Sequence, residues 1–272
     1  MKKSILILLF LLFGQLYSHA HEIIHSTVFS PSMHRKIPVI IITPDVVPQH
    51  RYPVVYILHG FSGNPDRILT QDLPTLPQLA DQFQTIYVLP DGSYDCWYVN
   101  SPLVASSQYN TFVSSELVTA IDLQYPTIKD REHRGLLGWS MGGYGALHIG
   151  VSHPETFSII GSTCGAVDFN YFGEGFGFYH VDKYLGKFAD LDPKFMVVKQ
   201  LDKMKSAHQS YFLDCGTEDT QMLEMNRHLH QLMTDNNINH QYTESPGKHD
   251  ATYWSYALRI QLLFFNDILK TR

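Results

Sequence analysis

Cysteine is scarce in this chain: Cys96, Cys164 and Cys215 are the only three among 272 residues. Three is too few, and odd in number, for a disulfide framework. Cys164 and Cys215 stand at the ends of apolar runs, where a buried thiol behaves as a small hydrophobe. Long apolar runs are also lacking. The one candidate, residues 5–13, follows Lys2 and Lys3 and leads to Ser18-His19-Ala20, the pattern of an export signal cut after Ala20. It is too short to span a bilayer, which takes roughly 20 apolar residues, and no later stretch is long enough. No cysteine near the cut offers a lipid anchor. Residues 1–20 therefore read as a signal peptide, and residues 21–272 as one domain, secreted or periplasmic, with no membrane span. Clusters of basic charge are missing as well. Lys and Arg number 20 against 26 Asp and Glu, for a net charge of -6, and no patch could follow a phosphate backbone, which argues against nucleic acid as a partner. Repeats, low-complexity tracts and linkers are absent too.

What the chain does contain is core-forming material, 44% hydrophobic and 17% charged, as a single large globular domain requires. It begins β-rich: residues 23–30 and 37–43 are β-branched and apolar around a Pro-Ser turn and predict a hairpin. Short apolar runs at 54–58, 85–89, 135–139, 158–160 and 211–213 then alternate with helix candidates at 112–125, 141–152, 221–236 and 251–270. Continuous apolar strands between amphipathic helices predict an α/β protein, a mostly parallel sheet covered on both faces. Residues 165–208, rich in glycine and aromatics, interrupt the alternation and read as an excursion over the site rather than a core element.

The strongest chemical signal is Gly138-Trp139-Ser140-Met141-Gly142, a G-x-S-x-G pattern between a strand and a helix. In such an elbow the serine sits in a strained turn above the sheet edge, and small residues must flank it; Gly142, Gly143, Gly145 and Ala146 follow. A serine hydroxyl needs a base and a group to orient that base. The elbow fold supplies them in the chain order serine, acid, histidine. The turn Gly216-Thr217-Glu218-Asp219-Thr220 follows the strand at 211–213, and Asp219 is the preferred acid, with Glu218 and Asp214 as alternatives. The loop 245–250, after a short strand-like run at 240–243, offers His249 as the base. An anionic tetrahedral intermediate also needs two backbone donors. Met141, next after the serine, is one, and Phe61 in His59-Gly60-Phe61-Ser62-Gly63-Asn64 is the other.

Taken together, Tyr56-Ile57-Leu58-His59-Gly60, Pro90-Asp91-Gly92, Gly138 to Ala146 with His153-Pro154 and Phe157, Cys215 to Asp219, and Gly247-Lys248-His249-Asp250 resemble the esterase D-like branch of the α/β-hydrolases. That branch includes feruloyl and acetyl esterases, tributyrin esterases, S-formylglutathione hydrolases and mycolyltransferases. The resemblance covers nearly all of the chain after residue 20. It implies an α/β-hydrolase fold, a Ser140–His249–Asp219 triad with Phe61 and Met141 as oxyanion donors, and no metal or organic cofactor. Lys248 departs from the pattern, since a second glycine commonly precedes the histidine. The segment 91–100 resembles the family's pocket-lining stretch, which makes Trp97 and Tyr98 candidate substrate contacts.

The implied activity is a secreted serine carboxylesterase that removes acyl groups, acetyl or hydroxycinnamoyl, from a small-molecule or carbohydrate ester. Two alternatives stand beside it: an acyltransferase of the mycolyltransferase type, and an inactive carbohydrate- or lipid-binding relative, which would show a broken triad. The segment His21-Glu22-Ile23-Ile24-His25 spells the zinc-protease pattern, but that pattern works only on a helix, and β-branched residues follow at once. His228 and His230, two apart on a predicted helix, face different sides.

Overall fold

The computed structural model describes residues 21–271; the expected signal peptide at residues 1–20 lies outside the described residues. The entry hairpin forms as predicted, β1 (Glu22–Ser30) against β2 (Arg35–Thr43), antiparallel and in register from Glu22 opposite Thr43 to Ser30 opposite Arg35. Its outer strand alternates exposed and covered residues, as a sheet edge does. Because residues 22–30 are strand, His21 and His25 are separated by roughly 13 Å of extended chain. They turn to different acids, Asp81 at 2.8 Å and Asp66 at 3.7 Å. The zinc-protease arrangement does not exist here.

Five further strands follow the apolar runs: β3 (Val54–Leu58), β4 (Ile86–Pro90), β5 (Arg134–Trp139), β6 (Ile159–Thr163) and β7 (Ser210–Gly216). With β8 (Gln241–Ser245) they complete an eight-stranded sheet in the order β1-β2-β4-β3-β5-β6-β7-β8. From β4 across to β8 every neighbouring pair is parallel, while β2 meets β4 antiparallel. Strands β3 to β6 have every residue buried, the consequence of helices on both faces.

The main helices are α1 (Leu76–Phe83), α2 (Leu117–Gln124), α3 (Met141–Ser152), α4 (Leu223–Asp235) and α5 (Ala251–Thr271). On β6, Ile160 packs against Gly150 of α3, and its neighbour Gly161 packs against Gln261 and Phe265 of α5. Successive strand residues point to opposite faces, so α3 and α5 cover the two sides of the sheet. Among the described residues no helix is long and apolar enough to cross a membrane. This is the α/β-hydrolase fold that the sequence implied.

Two expectations need correction. The helix expected at 112–125 starts earlier, as a turn at Tyr109–Thr111 that widens into a π-helical turn at Phe112–Glu116 before α2. The excursion at 165–208 belongs partly to the core, because Phe169, Phe172 and Phe176 are buried in the main hydrophobic cluster. Phe169 and Phe172 meet each other and Trp97 edge-on, and Phe176 meets Phe169 in the same way, so apolar burial holds the segment down.

Candidate active site

Every predicted site residue lies beyond the C-terminal end of a strand, on the loop that leaves it or, for Met141, at the start of the helix that follows, where open α/β sheets place their ligand crevice. Ser140 joins β5 to α3 with φ 55 and ψ -122, a conformation that L-residues rarely adopt. The turn is held by Ser140 N–H donating to Thr163 O (3.0 Å) and by its own carbonyl accepting from Tyr144 and Ala166. It also needs bare backbone beside it. A Cβ on Gly138 would lie 2.3 Å from Gly142 O, and one on Gly142 would lie 2.0 Å from Leu58 O.

The base and acid arrive from neighbouring strand ends. Beyond β7 and β8, Thr217 N–H donates to Ser245 O and Glu218 N–H donates to Gly247 O, both at 2.9 Å, and this ties the acid loop to the histidine loop. Lys248, the departure from the family pattern, leaves that tie intact. Asp250 then starts α5: its carboxylate accepts from Tyr253 N–H at 3.0 Å, a helix cap of the kind worth about 1 kcal/mol. The result brings three side chains together. Ser140 Oγ and His249 Nε2 are 2.9 Å apart, and His249 Nδ1 and Asp219 Oδ2 are 2.6 Å apart. The network assigns the tautomer: Nδ1–H donates to Asp219, and Nε2 is left to accept from the Ser140 hydroxyl.

Asp219 is buried, and its second oxygen accepts from Met222 N–H at 3.1 Å. Burial pushes its pKa up, but the His249 hydrogen bond and charge and the Met222 amide hold the carboxyl below its ordinary range. The alternative acids lie elsewhere. Asp214 is fully buried and accepts from Thr163, Tyr253 and Gln261, and Glu218 is exposed.

Burial disfavours a charged His249, yet the Asp219 hydrogen bond, the neighbouring Cys164 thiol and the Asp219 charge outweigh it and raise His249 to about 9. A base must be neutral to accept a proton, so kcat/KM for a nitrophenyl ester is expected to climb with pH along a limb centred near 9, roughly tenfold per unit below it. A limb near the ordinary imidazole value of ~6.5 would contradict this coupling. A raised histidine pKa also stabilises the fold below ~6.5, and that contribution is lost as pH rises through about 9.

Among the described residues, Cys164, Asp219 and His249 form the one group whose ligand atoms all lie within 4.8 Å of one another. The Asp219 and His249 atoms are already engaged with each other. Cys164 is therefore more than the inert filler expected; its thiol lies against the acid–base pair, kept neutral by burial.

The candidate oxyanion donors are both available. Met141 is the first residue of α3, so its amide has no intrahelical acceptor and carries the positive end of the helix dipole. The Phe61 loop is fixed from beneath. His59 Nε2 accepts from Gly92 N–H at 2.8 Å, His59 Nδ1–H donates to Gly60 O at 2.8 Å, and Ser62 N–H donates to Tyr94 O at 2.7 Å. The sequence motifs include His59 without giving its side chain a role; its place directly after β3 was the available signal.

A largely apolar cavity opens beside Ser140 and His249, walled by Phe61, Trp97, Trp139, Phe172, Tyr179 and Trp254, the kind of lining that small-molecule sites have. Trp97 is in that wall, its indole N–H donating to Tyr179 O at 2.8 Å. Tyr98 is not, contrary to expectation. It is fully buried with its hydroxyl donating to His59 O at 3.1 Å, so it is a pillar under the Phe61 loop, outside the cavity wall. Trp139, Trp254, Arg67 and Asp72 also line the cavity and were not foreseen. His228 and His230 turn to different partners, Asp168 and His240.

Residues 30–265 match the family described as Putative esterase. An acetyl esterase of Caldicellulosiruptor saccharolyticus is 24% identical over 218 residues, 74% of this chain and 78% of its own. A solved ferulic acid esterase superposes with a TM-score of 0.79 at 23% identity, covering 92% of this chain and 99% of its own. A fluorophosphonate-binding serine hydrolase of Staphylococcus aureus superposes at 0.81 with 17% identity, covering 91% and 99%.

Proposed function

Because the chain belongs to the Putative esterase family and is thus a serine esterase, we propose that it hydrolyses acetyl or hydroxycinnamoyl esters of small alcohols or carbohydrates, outside the cytoplasm, with Ser140 as nucleophile. The observation that carries this reading is the continuous chain from Ser140 Oγ through His249 to Asp219, at 2.9 and 2.6 Å. The Ser140 oxygen attacks the ester carbonyl while His249 Nε2 takes its proton. Asp219 accepts from Nδ1–H and stabilises the imidazolium. The carbonyl oxygen, now anionic, is received by the Phe61 and Met141 amides. Collapse of this intermediate breaks the bond to the alcohol, which leaves with the proton from His249. Water then attacks the acyl-enzyme, gives a proton to His249, and the acid departs as Ser140 regains its hydrogen.

The choice of acyl groups draws on the relatives named acetyl esterase and ferulic acid esterase and on the aromatic cavity walls. Export is supported by Lys2, Lys3 and the apolar run at 5–13. The test is a panel of p-nitrophenyl acetate, p-nitrophenyl butyrate, methyl ferulate and acetylated xylan, presented to the purified protein. Turnover concentrated on ferulate or acetylxylan is the expected result, and turnover limited to the nitrophenyl esters reduces the reading to a general esterase. If none is hydrolysed by folded protein, acyl transfer or simple binding replaces it.

A further inference from the structure

Two charged side chains in the cavity wall have no part in the proton-transfer chain. Asp72 ends a π-helical turn, Ile68–Asp72, closed by Leu73 N–H donating to Ile68 O at 2.7 Å; such turns are frequent at functional sites. Its side chain is 1% exposed, and neither carboxylate oxygen has a hydrogen-bond partner. Arg67 approaches it, Nε to Oδ2 at 3.3 Å, but Arg67 Nε also lacks a hydrogen bond. The guanidinium lies over the Trp254 ring at 5.8 Å, and Trp254 meets His249 edge-on at 5.1 Å. Burial raises the Asp72 pKa and the Arg67 charge opposes the rise. A buried carboxylate without hydrogen bonds is costly to keep, and the 3.3 Å ion pair with Arg67 leaves the hydrogen-bonding capacity of both oxygens unfilled.

The pair selects its own ligand. An anionic group entering here meets the Asp72 carboxylate, and a cationic one meets the guanidinium. A neutral hydroxyl satisfies both, its O–H donating to Asp72 and its oxygen accepting from Arg67 Nε. Around it, Trp254, Trp139, Trp97 and Phe172 offer flat apolar surface to a ring. We propose that Arg67 and Asp72 form a specificity subsite that reads a neutral ring-borne hydroxyl on the ester substrate, carried by an aromatic acyl group or by a sugar alcohol. This rests on the esterase reading above and adds to it a polar determinant.

The test uses matched esters that differ in one feature: methyl 4-hydroxycinnamate against methyl cinnamate for the acyl source, and a xylose monoacetate against cyclohexyl acetate for the alcohol source. In the unaltered protein the hydroxylated member of at least one pair is preferred. The double variant R67M/D72L, which swaps the ion pair for apolar side chains of similar size and leaves no lone charge, is expected to reduce that preference roughly 10- to 100-fold. Loss in the first pair assigns the hydroxyl to the acyl group, and loss in the second assigns it to the alcohol. A preference that survives the double variant, or was never present, overturns the proposal, as does an equal loss for both members of a pair. Asp72→Asn gives a second, milder variant where the double change does not fold. Calorimetric binding of the same esters to Ser140→Ala protein separates the two readings: hydroxyl-selective binding without turnover keeps the subsite and removes the esterase, and turnover without selectivity does the reverse.

Discussion

Ser140→Ala lowers kcat for p-nitrophenyl acetate by roughly 10⁴- to 10⁶-fold while circular dichroism and thermal unfolding stay close to those of the unaltered protein. The size of the loss follows from geometry. Among the described residues Ser140 alone has its hydroxyl bonded to His249 Nε2, at 2.9 Å, and without that oxygen no acyl-enzyme forms, so the amides at Phe61 and Met141 are left to assist water alone. Fold retention follows because the hydroxyl takes no part in the turn; the Thr163, Tyr144 and Ala166 bonds all use the backbone of residue 140. Substantial residual turnover would move the nucleophile elsewhere.

Asp219→Asn is expected to cost roughly 10⁴-fold in kcat with little change in overall structure. An amide of the same shape can present its N–H₂ to Nδ1, which forces the proton onto Nε2 and removes the acceptor that Ser140 needs. The loss of the carboxylate charge also removes a main cause of the raised His249 pKa, so the remaining activity titrates at lower pH. Asp214→Asn and Glu218→Gln are the controls. Asp214 spends its oxygens on Thr163, Tyr253 and Gln261 beneath the site, and its replacement alters stability more than rate. If Glu218→Gln proves the damaging change, the acid has been misassigned.

Much of this organisation could be read from local patterns. The all-buried strands β3 and β4 are continuous apolar runs, and β5 and β6 carry apolar stretches at their centre or start; a run of that kind between amphipathic segments has few other uses. Ser140, Asp219 and His249 could be picked out because each stands in a short loop directly after a strand, in the order the elbow fold uses. What escaped depends on distant parts of the chain. Helix α1 has Pro77 in its first turn, a position proline tolerates but one that reads as a break. Trp97 and Tyr98 both have positive φ, 53 and 54, so two adjacent aromatics point apart, one into the cavity and one beneath the Phe61 loop. Sequence offers no warning of that, because glycine and asparagine normally occupy such positions. Arg67 and Asp72 acquire meaning only when the turn after β3 meets Trp254 on a helix nearly two hundred residues later.

The ties between the loop after β7 and the loop after β8 make the carboxylate and imidazole one mechanical body, separate from the elbow that carries the serine. The histidine half of that body follows β8, the last strand of the sheet, where only β7 supplies hydrogen bonds. Opening of such an edge costs less free energy than melting the core. Heat or denaturant therefore disconnects base from nucleophile while most of the sheet still stands, and the working lifetime of the protein is set by its weakest margin rather than by its global stability.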